Sequence, residues 1–406
     1  MTRTIAVFTG NRAEYGLQYP VLKAIREHPD LEYRLIVAGA HLDPNFGQSI
    51  SEIRQDGFEI HAEVQIDLGE DSRVATSRAI ATGILSLSQA LSDLQPDILV
   101  VYADRFEGFA AVITGTQMNI PTAHIEGGDI TEGGALDDSV RHAMTKLAHL
   151  HFTTNQQATN RLLAMGEEPW RVTTAGFPAI DLIVNGQVAS PEQLKQRYGL
   201  KEAAPVIVFT QHSVTTEFDQ VAAQLGPSLR AIRRLAEEGV QAILTFPNND
   251  VGGLGIVQLI DRCMAGAPAQ MQLHKSLGRY NYHGLLALAR VAPWRVACVG
   301  NSSSGIKETP VFGCPAVNIG SRQQGRLRGD NVLDAGYDET EIYDAAKRAL
   351  FDETFRDRCR RTENPYGGGT AGKIIAEKLA SVPLDSKVIL RKRMMLLGEV
   401  RDGWYR

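Results

Sequence analysis

Short apolar runs rich in valine and isoleucine recur along the whole chain, and segments with a helical pattern separate them. Examples are IAVFTG (5–10), DILVVYAD (97–104), PVIVFTQH (205–212) and RVACVG (295–300). A strand that is apolar on both sides is covered on both sides, which is the usual condition of a parallel sheet between helices. The alternation therefore predicts an α/β fold built from doubly wound parallel sheets.

The length of the chain predicts two domains, because 406 residues exceed what one hydrophobic core usually serves. The segment 184–205 has no strand pattern and contains proline and many polar residues, so it is the predicted boundary. We expect two Rossmann-like domains that face a cleft, at residues 1–185 and 186–375. The remaining residues, 376–406, are expected to form a closing C-terminal helix.

Composition excludes several classes of protein. With a net charge of −5, the chain lacks the basic surface that binding to nucleic acid requires. No apolar run is long enough to cross a membrane, the first residues do not resemble a signal peptide, and the cysteines form no CxxC pair. These features predict a cytoplasmic protein with no nucleic-acid partner and no membrane partner.

Carboxylates stand where two of the apolar runs end, and ligands of doubly wound sheets bind beyond the carboxyl ends of the strands. The run DILVVYAD ends on Asp104, and the run PTAHIEG includes Glu126. If these strands are neighbours, both carboxylates lie at the same edge of the sheet. Asp137 or Asp138 then falls at the N-cap of the next helix, where capping alone would account for it. The preceding glycines also allow Asp137 to approach the other two acids, which would indicate acid–base catalysis.

A metal site is the alternative interpretation of this acidic region. The nearest ligand-like spacings are HIE at 124–126 and HLH at 149–151, whose outer residues would share one face of a strand. The chain has neither HExxH nor a Cys/His cluster, so we expect no bound metal. The two other acids of the glycine-rich loop, Asp129 and Glu132, are expected to be solvated.

Anion-binding signals follow two further strands. The stretch TGNRAEYG places Arg12 in the turn after the first strand, although it lacks the GxGxxG pattern of a dinucleotide site. In the second half, Gly300 ends a strand, and a small polar segment, NSSSG, precedes a helix that contains Glu308. Such a segment suits a phosphate, although a serine-rich helix cap is the plainer interpretation. GGGTAGKI (367–374) is not a P-loop, because isoleucine replaces the required Ser/Thr and no strand precedes it.

The chain resembles the hydrolysing UDP-N-acetylglucosamine 2-epimerases over about residues 5–335. The resemblance rests on eight motifs in the same order, which are NRAEYG, AHLD, ADRFE, HIEGGDITEGGALDDSVRHAMTKLAHLHF, HSVTTEFD, FPNND, GNSSSGIKE and SRQQGR. It implies a GT-B-like pair of domains and release of UDP from UDP-N-acetylglucosamine to give free N-acetylmannosamine for sialic acid synthesis. Close relatives in that family act on nucleotide-linked N,N'-diacetylbacillosamine for legionaminic acid.

Some motifs separate this chain from neighbouring groups. Non-hydrolysing 2-epimerases begin with GTRPE and carry RxxTERPE, whereas this chain has NRAEYG and RQQGR, which favours the hydrolysing branch. Ser213 replaces the proline of the usual HPVTT motif, and Ala103 replaces the glycine of the usual GDR motif. A glycosyltransferase with the same fold and a nucleotide-sugar-binding regulator without turnover remain alternatives.

The resemblance also implies the roles of single residues. It assigns catalysis to Asp104, Glu126, Asp137 and His212, and it leaves open which carboxylate is the base and which the acid. It assigns substrate and nucleotide binding to Arg12, Tyr15, His41, Asn248, Ser302, Ser303, Glu308 and Arg322. The implied partner is a nucleotide sugar, with no cofactor and no metal, and the implied assembly is a homodimer or homotetramer.

Overall fold

A computed structural model describes residues 2–43, 49–68, 73–130, 136–186, 188–202, 204–247 and 253–395 of the chain. The chain divides into two compact units. The first contains the chain up to Ile130, the described stretch that ends at Leu182, and the C-terminal part from Tyr366. The second runs from Ile183 to Pro365.

The first unit is a seven-stranded parallel sheet with helices between the strands. Its strands are β1 (Arg3–Thr9), β2 (Leu31–Ala38), β3 (Ile60–Val64), β4 (Ile98–Tyr102), β5 (Thr122–Ile125), β6 (Leu150–Thr153) and β7 (Val172–Thr174). Its helices are α1 (Arg12–Glu27), α2 (Ile50–Gln55), α3 (Arg73–Leu94), α4 (Phe106–Gln117), α5 (Leu136–Leu147), α6 (Gln156–Ala164) and α7 (Ala179–Asn185), the last of which crosses into the second unit. The strand order is β3-β2-β1-β4-β5-β6-β7, so the direction of winding reverses between β1 and β4.

The second unit is a six-stranded parallel sheet with the order β10-β9-β8-β11-β12-β13, which reverses between β8 and β11. Its strands are β8 (Val206–Thr210), β9 (Gln241–Thr245), β10 (Met271–His274), β11 (Val296–Gly300), β12 (Ala316–Ile319) and β13 (Val332–Ala335). Its helices are α8 (Pro191–Tyr198), α9 (Val221–Glu237), α10 (Gly253–Met264), α11 (Gly278–Ala287), α12 (Ser304–Lys307), α13 (Glu339–Phe351) and α14 (Glu353–Arg361).

Burial on both faces explains the apolar runs of the sequence. In β1, Ile5 and Val7 pack into the core on one side of the sheet, while Ala6 and Phe8 pack into the core on the other. All four side chains are at most 1% exposed. The strands of the second sheet alternate in the same way between two cores. The predicted doubly wound parallel fold is therefore confirmed.

The C-terminal part differs from its prediction. Residues 366–375 belong to the first unit and not to the second, and the expected single helix is two helices, α15 (Ala371–Ser381) and α16 (Ser386–Ile389). The Asp181 carboxylate accepts hydrogen bonds from the first two N–H groups of α15, at 3.0 and 2.7 Å. These bonds attach α15 to the first unit. They also occupy the N–H groups that a phosphate would need in the stretch that imitates a P-loop. Residues 396–406 lie outside the described residues.

A buried arginine attaches the chain beyond α15 to the same unit. Arg171 is 1% exposed, and its guanidinium donates to the carbonyls of Val388, Ile389 and Arg391. A backbone carbonyl that accepts a hydrogen bond from a buried guanidinium does not need one from the N–H group of a following helical residue. The chain is therefore held here without a continuous helix. No helix in the described ranges combines the length and the apolar character needed to cross a bilayer.

Gly300, the last residue of β11, is a position where the fold requires glycine. Its φ is +137°, and a Cβ added there would overlap the carbonyl oxygen of Thr210 on the neighbouring strand. We expect Gly300→Ala to lower the free energy of unfolding of the second unit by about 2–5 kcal/mol, through backbone strain and overpacking. Thermal unfolding followed by circular dichroism measures the change.

Gly305→Ala is the matched control for that prediction. A Cβ on Gly305 would meet only the sulfur of Cys298, at 3.7 Å, which is an ordinary contact. We therefore expect a change of less than about 0.5 kcal/mol in this variant. Equal melting temperatures for the two variants would contradict the steric argument.

Candidate active site

The two carboxylates predicted at strand ends do lie beside each other in the sheet order. Strands β4 and β5 are hydrogen-bonded neighbours, with Tyr102 opposite Ile125 at their ends. Asp104 follows β4 by two residues, and Glu126 follows β5 directly. Both residues therefore stand at the carboxyl edge of the first sheet, next to the point where its winding reverses.

The backbone is strained at both of these strand ends. Ala103 has a φ of +55° and Glu126 a φ of +67°, in the left-handed region that residues other than glycine rarely occupy. Such a conformation costs about 1–3 kcal/mol and is concentrated at functional sites. Glu126 is 8% exposed. The pKa of the neighbouring Tyr102 hydroxyl is raised above its ordinary value, first by burial of that hydroxyl and then by the negative charge of Glu126. The strain and the burial mark this edge as a candidate site.

His124, first considered as a metal ligand, instead supports the strained turn. It is fully buried, and its Nε2 lies 2.6 Å from the carbonyl oxygen of Ala103, while its Nδ1 lies 3.2 Å from the hydroxyl of Thr145. Burial lowers its pKa to about 3, so the ring is neutral at neutral pH. A neutral ring that donates from Nε2 and accepts at Nδ1 satisfies both contacts. The sequence spacing gave no sign of this role.

Arg141 is a residue of the site that the sequence analysis missed. It is 4% exposed and pairs with the carboxylates of Asp104 and Asp138, and it also donates to the carbonyl of Asp129 at 2.7 Å. One guanidinium thus orients the Asp104 carboxylate and ties α5 to the end of β4. The available signal was the i,i+3 spacing of Asp138 and Arg141 on a helix.

The structure distinguishes the two aspartates at the start of α5. The helix begins at Leu136, so Asp137 and Asp138 lie in its first turn, and the expected N-cap position is wrong for both. Asp137 is exposed, whereas Asp138 is buried against Arg141. Asp137 is therefore the one of the two whose carboxylate is open to a ligand. The glycine-rich segment at 131–135 lies outside the described residues.

The expected solvated loop is wrong for Asp129. Its carboxylate accepts hydrogen bonds from the hydroxyl of Thr154 at 2.9 Å and from the side-chain amide of Asn155 at 2.9 Å. Asp129 therefore fixes the chain that follows Glu126 to the end of β6. The other acid of that prediction, Glu132, lies outside the described residues.

Two residues expected to bind substrate have partners inside the first unit. Tyr15 is 5% exposed and donates from its hydroxyl to Asp56 at 2.7 Å, and burial raises its pKa. The ring of His41 is fully buried, lies within 3.0 Å of Thr9 Oγ1 and 2.8 Å of Ser49 Oγ, and has its pKa lowered to about 4 by burial. These contacts shape the ends of β1 and β2. The side chain of Arg12 lies outside the described part of the structure.

Two buried carboxyl groups near the end of β1 also escaped the sequence analysis. Glu14 accepts from the side chain of Gln18 at 2.9 Å and from that of Asn11 at 3.3 Å, and burial raises its pKa. Glu107 is 1% exposed, and burial raises its pKa as well. A Cβ on Gly10 would lie 2.7 Å from the Cβ of Glu107, so glycine is needed for the close approach of β1 to α4.

In the second unit, Asn301 holds the backbone of His212. Strands β8 and β11 are neighbours, His212 follows β8, and Asn301 follows β11. The Asn301 side chain accepts from the His212 N–H at 2.7 Å and donates to the His212 carbonyl at 2.8 Å. Asn301 is 1% exposed, so both hydrogen bonds are shielded from water. The turn after β8 is therefore fixed although Ser213 replaces the usual proline.

The serine-rich segment after β11 leads into a helix, as expected, but that helix is short, and the expectation that it contains Glu308 is wrong. Helix α12 covers only Ser304–Lys307, and Glu308 follows its last residue. The hydroxyl oxygens of Ser302 and Ser304 lie 3.1 Å apart, and Ser304 Oγ lies 2.7 Å from the Tyr282 hydroxyl. The segment thus offers hydroxyl groups to an anion. Within the described part of the chain, the side chain of Ser303 makes no capping hydrogen bond.

Of the remaining predicted binding residues, two form contacts inside the second unit and one lies outside the described residues. Glu308 lies 2.9 Å from Nε2 of His283 and keeps 22% of its side chain exposed. Arg322 donates to the carbonyl of Asn301 at 3.3 Å, and so takes part in the same network as His212. Asn248 lies outside the described residues.

The histidines with ligand-like spacing are engaged elsewhere. His151 Nε2 lies 2.9 Å from the buried carboxylate of Glu167, and His149 Nδ1 accepts from the N–H of Thr122 at 3.1 Å. Among the residues that the structure describes, no group of three or more His, Cys, Asp or Glu is arranged to hold a metal ion.

Two parallel-sheet α/β units of this kind make up a GT-B-like fold, and solved structures share it. A structure titled as a putative UDP-N-acetylglucosamine 2-epimerase from Listeria monocytogenes matches with a TM-score of 0.76 at 18% identity, over 94% of this chain and 96% of that one. The Neisseria meningitidis UDP-GlcNAc 2-epimerase bound to UDP-GlcNAc matches with a TM-score of 0.72 at 19% identity, over 93% and 99%.

Sequence comparison identifies the family. The family model described as UDP-N-acetylglucosamine 2-epimerase matches residues 23–380, and the chain belongs to this enzyme family. A UDP-N,N'-diacetylbacillosamine 2-epimerase (hydrolyzing) from Legionella pneumophila is 32% identical over 96% of this chain and 98% of its own length. A UDP-N-acetylglucosamine 2-epimerase from Neisseria meningitidis is 31% identical over 89% and 92%. The family resemblance inferred from the motifs is confirmed.

Proposed function

We propose that this enzyme is a hydrolysing 2-epimerase that converts a UDP-N-acetylhexosamine into UDP and the free manno-configured sugar. The substrate is UDP-N-acetylglucosamine or UDP-N,N'-diacetylbacillosamine, and the product enters sialic or legionaminic acid synthesis. The observation that carries the proposal is the pair of carboxylates, Asp104 and Glu126, at the strained ends of neighbouring strands. The names of relatives more than 30% identical over most of their length support the substrate class.

The chemistry of C2 inversion explains why carboxylates are needed. The hydrogen on C2 is not acidic while C1 holds the diphosphate. As the C1–O bond stretches, positive charge spreads over C1 and the ring oxygen, and a carboxylate can then remove the C2 proton to give a glycal. Reprotonation of C2 from the other face and addition of water at C1 complete the reaction, so one base and one acid are required.

Each unit contributes its own set of proposed functional groups. Asp104, Glu126 and Asp137 of the first unit act on the sugar, and Arg141 holds Asp104 in orientation. In the second unit the binding groups are the turn of His212, the serine hydroxyls after β11, Arg322 for the diphosphate, and Glu308 for the ribose. Guanidinium and hydroxyl groups are the donors that phosphate oxygens prefer.

The remaining residues assigned by the resemblance have supporting or binding roles. Arg12 is the first residue of α1 and does not lie in a turn as expected, and Tyr15 and His41 support this region through contacts with Asp56, Thr9 and Ser49. Asn248 belongs to the nucleotide-binding set by resemblance. The enzyme works in the cytoplasm as a homodimer or homotetramer, without a cofactor or a bound metal.

A panel of nucleotide sugars, incubated without an acceptor and in the presence of EDTA, tests the proposal. We expect mass spectrometry to detect UDP and free sugar in equal amounts from UDP-N-acetylglucosamine or from UDP-N,N'-diacetylbacillosamine, and much less from the GDP-linked forms. Turnover only with an added acceptor would instead identify a glycosyltransferase. An epimerised sugar still linked to UDP would identify a non-hydrolysing epimerase, and thermal stabilisation without release of UDP would identify a binding protein.

A further inference from the structure

A cleft of about 520 Å³ lies on the second unit, between the segment before β13 and the end of α14. This arginine cleft is lined chiefly by Arg328, Asp330, Arg358, Arg361, Thr362 and Glu363. Pockets for small ligands commonly occupy about 300–1,000 Å³, so a monosaccharide derivative would fit. None of its lining residues belongs to the motifs of the candidate active site.

Among the described residues, two of the three arginines form no ion pair with a carboxylate. On α14, Arg356 pairs with Glu353 and Arg360 pairs with Asp357. Arg358 and Arg361 of the same helix are exposed and form no ion pair within the described part of the chain. Cations are favoured in the last turn of a helix, but two unpaired guanidinium groups on one wall of a cleft also attract an anion.

The third arginine comes from a different segment and points to the same conclusion. Arg328 pairs with Asp334 at 3.1 Å, but its Nε is buried and has no hydrogen-bond partner among the described residues. The Arg328 side chain is nevertheless 28% exposed, so it contributes a third guanidinium group to the lining of the cleft. Arg328 is not part of α14, so the dipole of that helix does not explain its position at the cleft.

The other lining residues define the class of ligand. Asp330 and Glu363 are exposed carboxylates at the same cleft, and Thr362 adds a hydroxyl. Carboxylates repel a ligand that is anionic throughout, but they accept hydrogen bonds from hydroxyl groups. The mixture suits a ligand with one anionic group and several hydroxyls, which is a sugar phosphate or a sugar acid.

A hydrogen-bonded path leads from this cleft to His212. Arg328 Nη2 donates to the carbonyl of Gln323 at 3.0 Å, and the Gln323 side chain donates to the carbonyl of Asn301 at 2.9 Å. Asn301 in turn holds both backbone groups of His212. Gln323 and Asn301 are each 1% exposed, so the path is buried and its members have few alternative partners.

We propose that the arginine cleft binds a sugar phosphate or a sugar acid, and that the bound ligand lowers the affinity of the enzyme for UDP. An anion bound by Arg328 competes with the carbonyl of Gln323 for the same guanidinium and so loosens the support of Asn301 and His212. Binding at the cleft goes beyond the proposed function, whereas the effect on UDP rests on it.

Titration calorimetry with glucose 6-phosphate, glucuronic acid, inorganic phosphate and glucose tests the site. We expect glucose 6-phosphate or glucuronic acid to bind more tightly than phosphate or glucose, in the presence of saturating UDP as well as in its absence. The double variant R358Q/R361Q should weaken this binding at least about tenfold, because each charge-assisted hydrogen bond contributes strongly. Both residues are exposed, so the fold should be retained.

Arg360→Gln is the control, because Arg360 lies on the same helix and pairs with Asp357. It removes one positive charge from the same helix and should leave binding unchanged. Equal binding by the double variant and the control would overturn the site. Binding of inorganic phosphate as tightly as glucose 6-phosphate would overturn the assignment to a sugar.

The affinity for UDP, measured with and without saturating glucose 6-phosphate, tests the coupling. We expect it to fall at least about fivefold, and the affinity for glucose 6-phosphate to fall by the same factor when UDP is bound. An unchanged affinity for UDP would overturn the coupling. Failure of UDP to bind at all would contradict the proposed function, while the titrations without UDP would still decide the site.

Discussion

Replacement of Glu126 by glutamine is expected to reduce turnover by about 10²–10⁴-fold while the fold and UDP binding are retained. Glutamine has nearly the same shape as glutamate, so the strained backbone at φ +67° is preserved and only the proton-transferring group is lost. Asp104→Asn and Asp137→Asn are expected to have effects of the same order. In Asp104→Asn, Arg141 keeps its ion pair with Asp138, so α5 should stay in position.

The measurement is UDP release at saturating nucleotide sugar, with UDP affinity and circular dichroism on the same samples. Glu63→Gln is the matched control, since Glu63 lies near the end of β3, is 46% exposed and forms an ion pair with Arg54 at the surface. It should retain full activity. Near-normal turnover in all three active-site variants would place the chemistry elsewhere.

Product formed in D₂O is expected to carry one deuterium at C2 in essentially every molecule. Inversion at C2 requires that the original C–H bond break and that a new one form on the opposite face. We propose that a carboxyl group supplies the new proton, and carboxyl protons exchange with solvent quickly. Asp137, which is exposed at the start of α5, has direct access to water for this exchange. Proton NMR and mass spectrometry of the free sugar measure the incorporation.

This experiment separates the classes of reaction. Simple hydrolysis and glycosyl transfer break only the C1–O bond, so the hydrogen on C2 is kept. The same reaction in water gives the unlabelled reference, and the deuterium content of unreacted substrate shows whether exchange occurs before release. A gluco-configured product without deuterium would contradict the epimerase proposal and would indicate a nucleotide-sugar hydrolase or transferase.

The doubly wound fold could be predicted because its cause lies within each short segment. A strand covered on both faces must be apolar at successive positions, as Ile5 to Phe8 are, and this pattern is visible without knowledge of the partner strands. The positions of Asp104 and Glu126 followed from the same rule, since ligands of such sheets gather beyond the strand ends. Their catalytic roles remain predictions.

The supporting residues could not be predicted, because their partners are distant in sequence. Asn301 meets His212 across 89 positions, and Asp181 meets Gly372 across 191. Arg141 looks in the sequence like any helical arginine, and only the neighbouring ends of β4 and β5 bring it to Asp104. The number of residues between two polar side chains does not show whether they meet, since many other polar residues are separated by the same number of positions.

Local pattern and contiguous motifs were sufficient to predict the alternation of strands and helices, the family, and the carboxylates at the strand ends. Long-range packing, in contrast, leaves Asp138 buried and Asp137 exposed, places His124 and Arg141 against the strand ends, and returns the chain from Tyr366 to the first unit. The physical reason is that burial removes water from a polar group and so requires a specific partner, and the order of strands in the sheet decides which partner is near.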